Sequence, residues 1–120
     1  MRGADGKYTE STVAAFHDAA ARGDMQLLDM FLSDSLNDKV LMDSVDENGW
    51  TALHEAVRAG DLEVVTKLVD DGADLGAETA GGLTPLMLAR DILYTAHPVI
   101  QYLLRIGAPE HEIEDQPLEL

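Results

Sequence analysis

The chain has no cysteine, few aromatic residues, few basic residues and no long apolar run. Each shortage closes a class of function. Without cysteine there is no disulfide framework, no thiolate nucleophile and no cysteine-based zinc site. Only 8 Lys and Arg stand against 23 Asp and Glu, a formal net charge of −15. Phosphate backbones and anionic lipid surfaces need a basic face, so neither nucleic acid nor a membrane surface is an expected partner. No apolar stretch approaches the roughly 18 residues of a membrane span. The opening residues, MRGADGKYTEST, hold no apolar core of a secretory signal. An intracellular setting, cytoplasmic or nuclear, is therefore expected. Aromatics are 5% of the residues while apolar side chains are 46%, so Leu, Val, Ile, Ala and Met must build the core. Close-packed helices have that composition.

What the chain does have is a segment that recurs 33 residues apart, TALHEAVRAGDLEVVTKLVDDGADL from Thr51 and TPLMLARDILYTAHPVIQYLLRIGAP from Thr84. Thr51 pairs with Thr84, Leu53 with Leu86 and Ala56 with Ala89. A weaker echo precedes them at an offset of 37, where Phe16-His17-Asp18-Ala19 aligns with Leu53-His54-Glu55-Ala56 and Gly23-Asp24 with Gly60-Asp61. A fixed period of this length marks a stack of similar units, none of which can bury its apolar face alone.

Each unit reads as helix, tight turn, helix, loop. Gly23-Asp24 and Gly60-Asp61 punctuate the helix pairs, glycine making the turn and aspartate capping the second helix. Thr51 and Thr84 are placed to cap the first helices. Pro85 follows where a helix tolerates proline, because that N–H would have no partner anyway. Gly72 and Gly107 fall where a left-handed C-terminal cap is expected. Asn48-Gly49 and Gly81-Gly82 are hairpin turn dipeptides. The polar stretch from Ser33 to Val45, broken by Leu36 and Val40-Leu41-Met42, reads as a loop that absorbs the longer first spacing.

These residues resemble the ankyrin repeat, whose pattern is a β-turn, T-P-L-H-x-A, a glycine turn, V-V-x-x-L-L and a closing G-A-D. Unit two carries it from Asn48-Gly49-Trp50-Thr51-Ala52-Leu53-His54-Glu55-Ala56 through Val64-Val65 and Leu68-Val69 to Gly72-Ala73-Asp74. Unit three keeps Gly82-Leu83-Thr84-Pro85-Leu86, Ala89, Val99-Ile100, Leu103-Leu104 and Gly107-Ala108. The resemblance implies an all-α solenoid of three helix-turn-helix units joined by short β-hairpin-like loops. Its expected layout is a flexible segment at 1–12, units at 13–45, 46–78 and 79–109, and an acidic tail at 110–120. Three departures stand out. Met87 replaces the family histidine, residue 76 is Gly rather than Asn, and the turn Arg90 to Ala96 is long and lacks glycine. An irregular third unit is expected.

The chemistry-bearing residues point away from catalysis. There is no phosphate-binding glycine loop and no G-x-S-x-G. The carboxylates follow solvent-facing helix positions, so no catalytic residue, metal ligand or cofactor is assigned. His54 occupies the family's structural position, where the ring bonds the cap threonine, and His17 is its counterpart in unit one. His97 and His111 lack metal-site spacing. Ser44, Asp46, Asn48, Gly49 and Glu55 fall on calcium-loop spacing, yet Ser stands at the first place and no paired helices flank the loop. Calcium or a small molecule is the unfavoured reading.

The favoured expectation is non-catalytic protein–protein recognition by a monomer. The alternative is a regulatory or targeting module of a larger enzyme or complex. The resemblance puts Trp50 and Leu83 at the variable hairpin place that faces a partner, where an exposed tryptophan makes an effective anchor. The competing reading for Trp50 is packing on Val40 to Met42. Glu47, Glu55 and Arg58 should line the same groove, with Asp18 and Arg22 from unit one and Leu88 from unit three. The acidic balance favours a partner with a basic surface or peptide.

Overall fold

The computed structural model describes residues 10–33 and 38–110, with side chains at 11–33 and 39–110. Among the described residues there are seven helices and no strand. They are α1 (Glu10–Arg22), α2 (Met25–Leu32), α3 (Asp38–Asp43), α4 (Ala52–Ala59), α5 (Leu62–Asp70), α6 (Pro85–Ile92) and α7 (Pro98–Arg105). α1, α4 and α6 stack in one row, with α4 in the middle. Each packs on the helix that completes its unit, α2, α5 or α7, and α5 also meets α7. The core lies between the two rows. Phe16, Leu28, Leu53, Leu68, Leu86 and Leu103 all lose essentially their whole surface there. Fully burying a leucine side chain contributes about 1.5–3 kcal/mol before entropy is counted.

The helix ends follow from the polar residues that bracket them. Asp24 and Asp61 cap α2 and α5 by accepting the backbone N–H of Leu27 and Val64. Thr51 and Thr84 do the same for α4 and α6 through His54 and Met87. Gly60 closes α4 in the left-handed region at φ 70°, where any other residue would be strained.

The loops between units are tight hairpins. Asp46 N–H bonds Trp50 carbonyl at 3.0 Å, and Thr79 N–H bonds Leu83 carbonyl at 3.0 Å. Ala80 N–H then donates to Asn48 carbonyl at 3.0 Å, joining one hairpin tip to the next. Gly49 permits that approach. A Cβ on it would lie 2.6 Å from the Ala80 nitrogen, and its φ is +78°.

The structure differs from the sequence expectation in three places. α1 begins at Glu10 rather than Val13, so residues 10–12 are helical, while 1–9 lie outside the described residues. Part of the expected Ser33–Val45 loop is α3, because Leu41 and Met42 bury themselves in the core at 1% and 3% exposure. Lys39 and Asp43 pair one turn apart on its outer side. In unit three, Arg90–Ile92 continue α6, since Leu93 N–H still reaches Ala89 carbonyl. The irregular connection is thus confined to Leu93–His97. Of the acidic tail, only Glu110 is described, and its carboxylate pairs with Arg90 at 2.8 Å. His111 and the rest of the tail lie outside the described residues.

Candidate partner-binding surface

Trp50 sits at the end of the first hairpin and leads into the Thr51 cap, so the cap fixes its direction. Its ring is half-buried against the core. It lies 6.1 Å from the His54 ring and 6.0 Å from the Arg58 guanidinium carbon. A guanidinium at that distance is attracted by the negative face of the ring. Arg58 also donates to Glu55 Oε1 at 3.0 Å. Trp50, Glu55 and Arg58 thus form one connected group on the face of α4 beside the hairpin.

The other expected contacts are distributed unevenly. Asp18 and Arg22 pair at 2.7 Å on α1, one turn apart and both exposed. Such exposed pairs contribute little to stability, about 0–1 kcal/mol, and leave both groups available. Glu47 is exposed on the hairpin. Leu83 is half-buried, and its carbonyl accepts a bond from His54. Leu88 is a correction: it is only 3% exposed and belongs to the core, so it offers no contact surface. It stands where α4 has Glu55. An apolar side chain at that place is buried, whereas the carboxylate stays at the edge.

Both described inner-row histidines are structural, with bonds to other units or loops. His54 Nδ1 accepts from Thr51 N–H at 3.1 Å, which fixes the proton on Nε2. Nε2 then donates to Leu83 carbonyl at 3.0 Å. Burial pushes the His54 ring below its usual pKa, opposed by the Leu83 bond and by the charges of Glu55 and Asp46. His17 Nε2 donates to the Ser44 carbonyl at 3.1 Å, the counterpart of the His54 bond to Leu83. Burial lowers its pKa too, against the Ser44 bond, Glu55 and Asp46. His97, to which sequence reading assigned no role, caps α7 by accepting Val99 N–H at 3.1 Å. Pro98 immediately after a polar residue was the available signal.

Of the residues on calcium-loop spacing, Asp46 and Glu55 come together beside His17. Asp46 Oδ1 accepts the N–H groups of Asn48 and Trp50 at 2.8 and 3.0 Å, which makes it a turn-former. Glu55 is already on α4, turned to Arg58.

A stack of helix pairs with hairpin tips along one edge, and polar side chains spread over that edge, defines a repeat scaffold of the protein-interaction class. The family model for ankyrin repeats, in three copies, matches residues 16–115. The chain belongs to the ankyrin repeat family, whose repeats are protein-interaction modules. It is 35% identical over 100 residues to protein phosphatase 1 regulatory subunit 27 of Mus musculus, a match covering 83% of this chain and 62% of that protein. It is 32% identical to the Notch-regulated ankyrin repeat-containing protein of Xenopus tropicalis, over 80% of this chain and 82% of that one. It is 38% identical to NAD-capped RNA hydrolase NUDT12 of Homo sapiens over 67% of this chain, but that match covers 17% of the hydrolase. The chain therefore spans about three fifths of the phosphatase subunit and a small part of the hydrolase. No helix among the described residues is long and apolar enough to cross a membrane.

Proposed function

We propose that the chain is a non-catalytic recognition module that binds a protein partner through its hairpin tips and the exposed face of α1 and α4. Trp50 is the anchor and Leu83 a lesser apolar contact. Glu47, Glu55 and Asp18 steer basic groups, and Arg22 and Arg58 lend hydrogen bonds at the rim. The observation that carries this reading is the single tryptophan, half-buried beside a hairpin and flanked by Arg58 and Glu55. A tryptophan held this way exposes apolar area at little entropic cost to binding. The net charge of −15 supports a partner with a basic surface or peptide.

A second reading is favoured by the relatives. A phosphatase regulatory subunit and an RNA hydrolase both share this stack. On that reading the chain regulates or targets a larger enzyme or complex, and any activity lies in another polypeptide or domain.

The test is parallel capture from source lysate by the wild-type chain and Trp50→Ala, after circular dichroism has matched their folds. A protein held by the wild type and lost by Trp50→Ala is the expected result. Equal capture by both would remove Trp50 from the surface.

A further inference from the structure

A pocket of about 660 Å³ opens between units one and two, and neither the caps nor the core account for it. It falls within the ordinary range of ligand pockets, about 300–1,000 Å³. α1 supplies Val13, Ala14 and His17. The segment before the first hairpin supplies Ser44, Val45, Asp46 and Glu47, and α4 supplies Glu55. Its lining is therefore mixed, with Val13, Ala14 and Val45 apolar and Asp46, Glu47 and Glu55 acidic. One ring nitrogen of His17 and one oxygen each of Asp46 and Glu55 lie within 4.8 Å of one another.

We propose that this pocket receives the side chain of an arginine or lysine presented by the protein partner. The proposal rests on the partner-binding reading above and adds to it which chemistry the partner must show. The methylene stem of such a side chain lies along Val13, Ala14 and Val45, and its charged head reaches Asp46 and Glu55. Both carboxylates are already held in place. The Asn48 and Trp50 amides fix Asp46 Oδ1, and Arg58 fixes Glu55 Oε1. A carboxylate accepts about four hydrogen bonds, so each keeps capacity for a further donor. One of these carboxylates already holds a guanidinium within the protein, for Arg58 donates to Glu55 Oε1 at 3.0 Å.

A divalent cation is the competing occupant of the same three residues. The Ser44 hydroxyl donates to Leu41 carbonyl at 2.6 Å, and Ser44 carbonyl can only accept. His17 Nε2 therefore donates its proton to Ser44 and shows no lone pair there. A metal would thus have to be met by Nδ1, the nitrogen that keeps its lone pair. The pocket is also far roomier than one ion requires.

The test titrates the isotope-labelled whole chain with N-acetyl-arginine amide, with the uncharged N-acetyl-citrulline amide and with zinc, following backbone amides by NMR. Saturable shifts at Ala14, Ser44 to Glu47 and Glu55 are expected with the arginine probe. Citrulline should bind about tenfold more weakly, since bonds to a charged donor are the stronger ones. Glu55→Gln and Asp46→Asn should weaken the arginine probe, and the asparagine side chain of the second variant keeps an oxygen for the turn amides. No shift at these residues, or equal binding of citrulline, overturns the proposal. So does zinc saturating these amides stoichiometrically while the arginine probe leaves them unmoved. If the arginine probe fails while Trp50→Ala still loses a captured partner, the pocket falls and the recognition surface stands. If arginine binds in the pocket while capture is indifferent to Trp50, the pocket stands and Trp50 leaves the surface.

Discussion

Units two and three share a period and a cap threonine, yet they use their polar atoms differently. In unit two, His54 takes Thr51 N–H on one ring nitrogen and gives its proton to Leu83 in the next unit. One buried side chain thus closes its own helix and sets the distance to its neighbour. In unit three, Met87 occupies that place. Thr84 still accepts Met87 N–H at 3.2 Å, but its hydroxyl donates to Pro109 carbonyl at 2.9 Å, just beyond its own second helix. The middle unit is stapled across a junction, and the end unit closes on itself. Stability in a stack is a sum of unit and interface terms, so a residue that serves both carries more than one that serves a single term.

The largest expected effect comes from emptying the core at these two places. Leu68→Ala in α5 and Leu103→Ala in α7 each remove a side chain with no exposed surface. Both should cost roughly 2–5 kcal/mol, out of the about 5–15 kcal/mol that holds a domain folded. Leu68 should lie at the upper end, because neighbours on both sides resist collapse into the cavity. Leu103 should lie at the lower end, where the terminal unit can relax. Urea midpoints of the two variants decide the order. A larger loss at Leu103 would mean that the end unit is packed as rigidly as the middle one.

A smaller effect isolates the staple. His54→Gln should cost about 1–3 kcal/mol, because Leu83 carbonyl and the Thr51 cap lose a well-placed partner inside the core. Thr84→Val should cost about 1 kcal/mol, the usual worth of a helix cap. Hydrogen exchange sharpens the contrast. The His54 change should loosen amides in unit three as well as unit two, whereas the Thr84 change should stay local. Loosening confined to unit two after His54→Gln would show that the Leu83 bond does not couple the units.

Most of the stack was legible in the sequence because its signals are local. The threonine and aspartate caps, the left-handed Gly72 and Gly107 and the Asn48-Gly49 hairpin are each fixed within a few residues of chain. Leu53 and Leu103 fall within the recurring segment, and both are buried. What escaped needed tertiary contacts. α3 is a short, weak helix by propensity and exists because Leu41 and Met42 reach the core. Leu88 occupies the place of an edge carboxylate, and only its apolar character hinted at burial. His17 is legible as the counterpart of His54 although no threonine lies three residues before it, but its acceptor, the Ser44 carbonyl, is 27 residues away, as the Leu83 carbonyl is 29 from His54. The pocket beneath Asp46 and Glu55 was hidden for a similar reason. Its residues looked like a metal loop along the chain, and folding turned them into a turn-former and a helix edge.

The smallest effect tests the staples through pH. Burial lowers the pKa of His54 and of His17, so the folded state prefers both rings neutral. Bonds to the Leu83 and Ser44 carbonyls, then Glu55 and Asp46, pull each pKa part of the way back. The unfolded chain takes up protons near 6.5, the ordinary histidine value. Below that pH it binds more protons than the folded chain, so stability is full above 6.5 and declines as the pH falls toward the lowered folded values. Carboxylates titrate mostly below about pH 5, and their protonation relieves the repulsion of a chain at −15. The window from about pH 7.5 to 5.5 therefore reads the histidines with least interference. The melting temperature should fall across it, and the fall should shrink in His54→Gln and again when His17→Gln is added. The two single variants divide the slope between the junctions, the His54 share belonging to units two and three and the His17 share to units one and two. An unchanged slope in the double variant would mean that neither ring is held neutral by its junction.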